Sequence, residues 1–479
     1  MKPNEAVQVS PRKSLVLALW RQVRAHSVEL SLFLCLWFAY GVALNSRNQS
    51  AFNLQQAGVE AIVERRQFKL EGSATPQLQL HVYYDGDRPF SDVFLYHGSQ
   101  YANKQPGQFL AGACAYFFLH LFGLSYARNY LLTSALVSFF TTSLVTAAAA
   151  VAVFATVREL IDDEKLCWPM TCALIYGLGT VVFVYSGVAH HDGLASGYLA
   201  IAFYLVTRLA SRRTRGREAR LLAAGAGFLL GLTVTTSLLP MLMAGVVGLY
   251  VVSLRRWDLT LPALIGGMAG LAPLLFYNAV CFGNPFEPAY IVGGYPDTYV
   301  YLNLRNTLTK IRFYAIYITI YVPIAWVGLL GLLFYPRQLW RERLVIFGLM
   351  IALSIQILNM DSQGECQYGP RFLLPAMAFA CIGLVGFHYL HAKMPKVLAI
   401  STMILAAAVS IVVNSAGAIY GAMYCEPRVY ALWPALAAIR GGAWKDLPLA
   451  GWLLIPLVSS VTLLIYSVRN YRPPPTPAM

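Results

Sequence analysis

Apolar runs long enough to cross a hydrocarbon layer of about 30 Å recur along almost the whole chain. Short polar connections separate them, and one long polar stretch follows the first run. In order, the runs are Glu29–Leu44, Tyr130–Val157, Trp168–Tyr185, Gly193–Val206, Leu221–Ser237, Pro240–Val252, Leu261–Cys281, Phe313–Phe334, Leu344–Leu358, Phe372–Tyr389, Val397–Val413 and Leu449–Val468. The pattern predicts an all-α polytopic membrane protein with about 12 transmembrane helices. The long polar stretch, Asn45 to Pro106, is then a large first extracytoplasmic loop. Within it, Ser50 is placed to cap a helix over Ala51–Gln67. That helix carries Leu54, Ala57, Gly58, Ala61 and Ile62 on a membrane-facing side and leaves Gln55, Glu60 and Glu64 to water. Leu78, Leu80 and Val82 alternate with polar residues and predict a short strand. Asp85-Gly86 is a turn signal, and Val93–Tyr96 suits a second strand, so the loop has room for a short hairpin.

One further apolar piece, Phe109–Leu124, decides the side of everything after it. If it crosses, the basic clusters around Arg215, Arg255, Arg341 and Lys396 fall outside. If it lies in the interface, they fall inside with Lys2, Arg12, Lys13, Arg21 and Arg24 of the N-terminus, as the insertion bias requires. The piece is short and contains His120, so it reads as a juxtamembrane helix, and both termini are expected to be cytoplasmic. The chain then divides into a basic cytoplasmic N-terminus (1–28), a first transmembrane helix (29–44) and an extracytoplasmic loop with juxtamembrane helices (45–128). A transmembrane core (129–390) follows, and then C-terminal helices with an outer loop and a short cytoplasmic tail (391–479). Leu15–Trp20 suits a short interfacial helix, and Met1–Arg24 lacks a signal-peptide cleavage pattern.

Composition sharpens this picture. Of the 479 residues, 58% are hydrophobic and 12% charged, about half the charge of a soluble domain. The net charge of +14 lies in clusters between apolar runs, so it reports insertion topology and not nucleic-acid binding. The eight Cys show no metal-ligand spacing. Cys366 and Cys425 both fall on the outer side, where a disulfide can form. No internal repeat is visible, which weighs against an inverted-repeat transporter.

The groups that interrupt the apolar pattern collect at the outer ends of the runs. Ser91–Leu110 carries Asp92, His97, Tyr101, Asn103 and Lys104 before a Pro106-Gly107 break. His190-His191-Asp192, Asn284–Tyr290 and Asp361–Arg371 are the other clusters. Ionisable density at a membrane edge is costly to hold and points to a functional site.

The order of these elements resembles the bacterial integral-membrane glycosyltransferases of the GT-C type, the group that includes protein O-mannosyltransferases and the aminoarabinose transferase of lipid A. Asn103-Lys104-Gln105-Pro106-Gly107, shortly after Asp92, is similar to that group's Lys-Pro-Pro-like loop element. His190-His191-Asp192 matches its acid or His after the third span. Arg371-Phe372-Leu373-Leu374-Pro375 matches its late Arg-Tyr-x-x-Pro-like element. Many members place an acid just after the first span; here that place reads Asn45-Ser46-Arg47-Asn48-Gln49. Either Asp92 takes its role, or a different acid serves, or the chemistry is altered.

The resemblance implies transfer of a hexosyl or pentosyl group from a polyprenyl-phosphate donor to a hydroxyl on a glycan, lipid or protein, at the outer face of the cell (inner) membrane. Asp92 is then the base that takes the acceptor proton. Lys104, His190, His191, Asp192, Arg371 and Tyr101 hold the donor phosphate and substrate. Each has a plainer alternative: a turn Asp at 92, a snorkelling Lys104, a lipid anchor at Arg371, an N-cap at Asp192, and interface-belt aromatics at Tyr101 and Tyr368. No cofactor is implied. Adjacent histidines raise the question of a metal, but a lone His-His-Asp is a poor ligand set and none is assigned. The competing functions are a glycolipid transporter or flippase, and a degenerate, non-catalytic relative.

Overall fold

The computed structural model describes residues 26–82, 84–85, 88–89, 92–161, 166–211, 214–294, 307–360, 362, 364, 366–390, 393–424 and 430–471. The basic N-terminus with Leu15–Trp20, Arg212, Arg213, Asp361, Glu365, Cys425 and residues 472–479 lie outside the described residues. Cys366 is disulfide-bonded.

The first helix, α1 (Ser27–Val42), leads into two short helices, α2 (Ser46–Ala51) and α3 (Asn53–Glu64). Ser50 caps no helix: it lies within α2, which is capped by Asn45, whose side chain accepts the Asn48 N–H at 2.8 Å, and α3 starts after Phe52 without a side-chain cap. An amide at this position satisfies one of the orphan donors of the first turn. Of the polar face of α3, Glu64 is exposed as expected, but the rest is not left to water. Gln55, Gln56 and Glu60 are buried along with Ala57 and Val59. Glu60 pairs with Arg65 at 2.8 Å and accepts from Ser73, and Glu64 accepts from the Tyr116 hydroxyl. The helix is packed on both faces because the rest of the loop folds over it.

The strand expected over Leu78–Val82 is absent: Pro76–Leu78 is a 3-10 turn, since Pro fixes the backbone angle that begins one. Tyr84–Asp85 (β1) pairs with Arg88–Pro89 (β2), which agrees with the turn signal at Asp85-Gly86. Val93–Tyr96 (β3) pairs with Ser99–Ala102 (β4) in a tight hairpin turning at His97 (φ 49°) and Gly98 (φ 77°). The next helix, α4 (Gly107–Leu121), has 15 residues and is about 22 Å long, short of a bilayer crossing.

The bundle follows: α5 (Tyr130–Leu160), α6 (Cys167–Leu178), α7 (Val181–Ser186), α8 (His191–Ala210), α9 (Gly216–Thr236), α10 (Met241–Ser253), α11 (Trp257–Phe282), α12 (Thr307–Tyr321), α13 (Pro323–Phe334), α14 (Arg337–Asn359), α15 (Arg371–Tyr389), α16 (Pro395–Tyr420), α17 (Leu432–Arg440) and α18 (Ala450–Arg469). Among the described residues, eight helices are long and apolar enough to cross a membrane, or nine with the α12–α13 pair counted as one span. The shorter apolar helices α1, α6 and α10 stand at the remaining expected runs. The expected single span over Phe313–Phe334 is bent by 102° where Pro323 interrupts it.

The interior is built around α15, whose apolar window is 89% buried, whereas α18 has only 17% buried and turns Trp452 and Ile455 outward. An apolar surface of that kind suits lipid. Helices α9 and α11 approach closely enough that a Cβ at Gly227, Gly231, Gly266 or Gly270 would strike the facing backbone, the small-residue contact typical of membrane helices.

Side-chain contacts sort the helix ends into two groups. At one end Asn45 donates to Ala418 O, Gln49 donates to Gly187 O, and the Tyr130 hydroxyl donates to Gln49 O. These join the end of α1, the start of α5, the α7–α8 turn and the end of α16. At the opposite end Arg158 pairs with Glu29, Tyr389 donates to Leu160 O, and Tyr250 donates to Glu342. The ends that the hydrophobic pattern assigns to one side therefore meet at one end. Helix α4 starts with Gly107 against Thr236, and the chain after it returns to Gln56 through the Tyr126 hydroxyl at 2.5 Å. Both its flanks stay at the same end of the bundle.

Candidate active site

Helix α8 begins at that end with His190-His191-Asp192, and all three are buried. His190, not Asp192, is the cap: its Nδ1 accepts the Asp192 N–H at 3.2 Å. Asp192 lies in the first turn, where a carboxylate is favoured by the helix dipole. Its Oδ1 accepts from the Ser237 hydroxyl at 2.7 Å, and His191 Nε2 stands 3.5 Å from the same oxygen. His191 Nδ1 lies 3.3 Å from Gln55 Nε2. An amide nitrogen only donates, so this contact assigns the proton of a neutral His191 to Nε2, facing Asp192.

Arg371, at the start of α15, completes the group. Its Nε is 4.0 Å from Asp192 Oδ2, and its Nη1 is 3.4 Å from His190 Nε2. Burial holds His190 well below the ordinary imidazole range, so the ring is neutral. With Nδ1 already accepting from the Asp192 N–H, the His190 proton sits on Nε2 and meets Arg371 donor to donor. That approach does not satisfy the guanidinium. Arg371 Nε is also buried without a hydrogen-bond partner among the described residues. The guanidinium lies 4.6 Å from the Phe372 ring centroid, which fixes its plane.

The second half of the site comes from the β3–β4 hairpin. Its register puts Val93 opposite Ala102, and the Asn103 N–H donates to Asp92 O at 2.7 Å just beyond. The chain therefore presents Asp92 and Lys104 side by side, with Nζ to Oδ1 at 2.6 Å. Lys104 is largely enclosed, whereas the Asp92 side chain is 60% exposed. Lys104 also reaches the Tyr290 hydroxyl at 3.3 Å. The enclosure around the partly exposed Asp92 carboxyl pushes it up, but Lys104 outweighs that by charge and hydrogen bond, aided by Arg371, and the net effect is below the ordinary carboxylate value. The field of Arg371 thus reaches Asp92, and that of Lys104 reaches His190. The two halves form one electrostatic site.

Asp92, Lys104, His190, His191, Asp192 and Arg371 are brought together. Tyr101 is not: it faces the other side of the hairpin, in an aromatic cluster with Phe94, Tyr96 and Phe282 and beside a cavity of about 420 Å³. Tyr368 is a core residue, fully buried with its hydroxyl on Val413 O at 2.7 Å. Sequence reasoning missed Gln55, Ser237 and Tyr290, polar side chains whose partners lie far away in sequence. The available signal was the break Ser237-Leu238-Leu239-Pro240, which ends α9 beside the site.

The ligand atoms of His190, His191 and Asp192 lie within 4.8 Å of one another, which is a spacing that can hold a cation. The surroundings do not suit one. His190 Nδ1 is committed to the backbone, Asp192 Oδ1 to Ser237, and the Arg371 guanidinium stands against both residues. Two cations, Arg371 and Lys104, with donors facing a neutral histidine pair, suit an anion.

No family model matches the chain, and no curated protein matches it in sequence. Among solved structures, two are similar to it. The structure of ArnT from Cupriavidus metallidurans bound to undecaprenyl phosphate is 13% identical, with 96% of this chain and 78% of that chain covered and a TM-score of 0.49. The archaeal oligosaccharyltransferase AglB from Archaeoglobus fulgidus, in complex with an inhibitory peptide and a dolichol-phosphate, is 13% identical, with 93% of this chain and 60% of that chain covered and a TM-score of 0.48.

Proposed function

We propose that this protein transfers a sugar from a polyprenyl-phosphate donor to an acceptor hydroxyl at the outer face of the cell membrane. The observation that carries the reading is the pair of cations, Arg371 and Lys104, set at one end of a membrane bundle beside an exposed carboxylate. Arg371 has donors left over, and a lipid phosphate offers acceptors for them. The ArnT and AglB structures, which hold undecaprenyl phosphate and a dolichol-phosphate, are in keeping with such a donor.

In the reaction, the acceptor oxygen forms a bond to the anomeric carbon as the bond from that carbon to the phosphate oxygen breaks. Negative charge grows on the departing phosphate, where Arg371 and Lys104 stabilise it. Asp92 takes the acceptor proton. In the free protein Lys104 holds the Asp92 carboxyl down and makes it a poor base. A phosphate drawn to Lys104 weakens that pair, so donor binding raises the basicity of Asp92 when it is needed. Asp192 is enclosed and engaged by Ser237, so it acts as a positioning residue for Arg371 and the histidines.

The test is sugar transfer in membranes from labelled polyprenyl-phosphate donors. Asp92→Asn and Arg371→Ala are expected to abolish it while the protein remains inserted. Full activity of Asp92→Asn would remove Asp92 from the chemistry. A mass-spectrometric comparison of envelope glycans with and without the gene identifies sugar and acceptor.

A further inference from the structure

Four amide side chains lie beside this site without a part in the mechanism. Gln55, Asn103, Gln105 and Gln108 are 4%, 3%, 1% and 0% exposed. Each carries a buried polar atom without a hydrogen-bond partner among the described residues: Gln55 Oε1, Asn103 Oδ1, Gln105 Nε2 and both polar atoms of Gln108. Buried polar groups are otherwise almost always satisfied, so such a group of orphans calls for an explanation.

Their placement is specific. Helices α3 and α4 run parallel: Gly58 meets Phe109, Val59 meets Gly112, and Glu64 meets Tyr116. One turn before the Val59–Gly112 contact, α3 presents Gln55 and α4 presents Gln108 at the same end. There Gln55 touches His191. Gly107, beside Gln108, packs on Thr236, the neighbour of the Ser237 that holds Asp192. Asn103 and Gln105 flank Lys104 on the chain entering α4.

The chemistry of the orphans is mixed and neutral, with three acceptors and two donors. Sugar hydroxyls both donate and accept, and match such a set. A charged sugar does not. The charged side chains with donors facing this place are Lys104 and Arg371, so an ammonium group on the sugar would meet like charge. Resting on the donor reading above, we infer that Gln55, Asn103, Gln105 and Gln108 read the sugar of the donor, and that this sugar is an uncharged, hydroxyl-rich pyranose. A site with buried polar groups of this kind also rejects analogues that leave them unpaired.

The test measures lipid binding to the full chain in nanodiscs. The probes are bare undecaprenyl phosphate, undecaprenyl phosphate bearing glucose, mannose or galactose, and the form bearing cationic 4-amino-arabinose. One neutral hexosyl lipid should bind roughly tenfold or more tighter than the bare lipid, the gain from a few added hydrogen bonds. Gln108→Leu and Gln105→Leu should lose that advantage while affinity for the bare lipid stays within about threefold. Arg371→Ala should weaken every probe. Because Leu replaces an unsatisfied amide, both variants should keep or raise their melting temperature. Retention of the hexose advantage in Gln108→Leu and Gln105→Leu, or preference of the wild type for the amino sugar, overturns the inference and leaves the donor reading intact. If no polyprenyl-phosphate lipid binds the wild type, both fall.

Discussion

Replacing Lys104 by Ala separates a structural lysine from a functional one. Its partner Asp92 is 60% exposed, so the 2.6 Å pair is screened by water. Pairs of that kind contribute about 0.2–1 kcal/mol to stability. A hydrogen bond from a cation to a phosphate is worth about 1.5–3 kcal/mol, or roughly 10- to 150-fold in a rate or affinity. Lys104→Ala should therefore change the melting temperature little and lower kcat/KM for a polyprenyl-phosphate sugar by one to two orders of magnitude or more. The pH profile gives an independent readout. Asp92 is held below its ordinary value in the folded protein, chiefly by Lys104 against the upward push of the partial enclosure around it. Its pairing thus stabilises the fold fully above an ordinary carboxylate value of about 3.9 and is lost as pH falls through the lower folded value. In Lys104→Ala the acid limb of activity due to Asp92 should move upward. The assays are thermal melting of the purified protein and initial transfer rates across pH. If Lys104→Ala keeps transfer within about threefold of wild type, too little for one charged hydrogen bond, or melts far below it, Lys104 is a packing or snorkelling residue and the phosphate assignment fails.

Three further outcomes follow from the geometry. Ser237→Ala removes the donor to a buried Asp192 oxygen, so it should cost about 1–3 kcal/mol in unfolding and weaken binding of undecaprenyl phosphate, measured by denaturation and by lipid titration. Gly107→Ala drives a Cβ into the Thr236 backbone and should shift the Lys104 loop, so that transfer falls while Asp92→Glu, at an exposed side chain, leaves the melting temperature unchanged. Arg215→Cys and Ser362→Cys test sidedness: an impermeant thiol reagent outside the cell should label position 362 and not 215, and the reverse would invert the topology.

The bundle was legible because lipid demands it. An apolar run of bilayer length has few other uses, and a basic connection reports its side. The bend at Pro323 escaped because the apolar character continues through it, so hydropathy sees one run where the backbone makes two helices. Inside the loop the same reasoning failed for part of α3. Gln55, Glu60 and Glu64 look solvent-facing on a helical projection; Glu64 is exposed, but Gln55 and Glu60 are buried by chain that arrives later, His191 on Gln55 and Arg65 and Ser73 on Glu60. Periodicity describes one helix and carries no information about what folds over its polar side. Asp92, Lys104, His190, His191, Asp192 and Arg371 were legible as ionisable groups at run ends. Their distances were not, because they come from loop contacts between segments far apart in sequence.

The same loop contacts bear on the proposal that the base is Asp92 and not a residue directly after the first helix. Asn45 accepts the Asn48 N–H and donates to Ala418 O at 3.0 Å, while Asn48 Oδ1 accepts the Ala422 N–H. These bonds tie α1 to the end of α16. Position 45 needs an acceptor and a donor on one side chain, which an amide supplies and an ionised carboxylate does not. Asn45→Asp keeps the cap but turns an oxygen toward the Ala418 carbonyl in a buried setting. It should cost about 1–3 kcal/mol in stability, read by denaturation, and leave transfer dependent on Asp92. The deciding experiment combines Asn45→Asp with Asp92→Asn. The double variant should stay inactive, because the new carboxylate is held in the α1–α16 closure, away from Lys104. Recovery of transfer would place the base after the first helix and reduce Asp92 to a partner that orients Lys104.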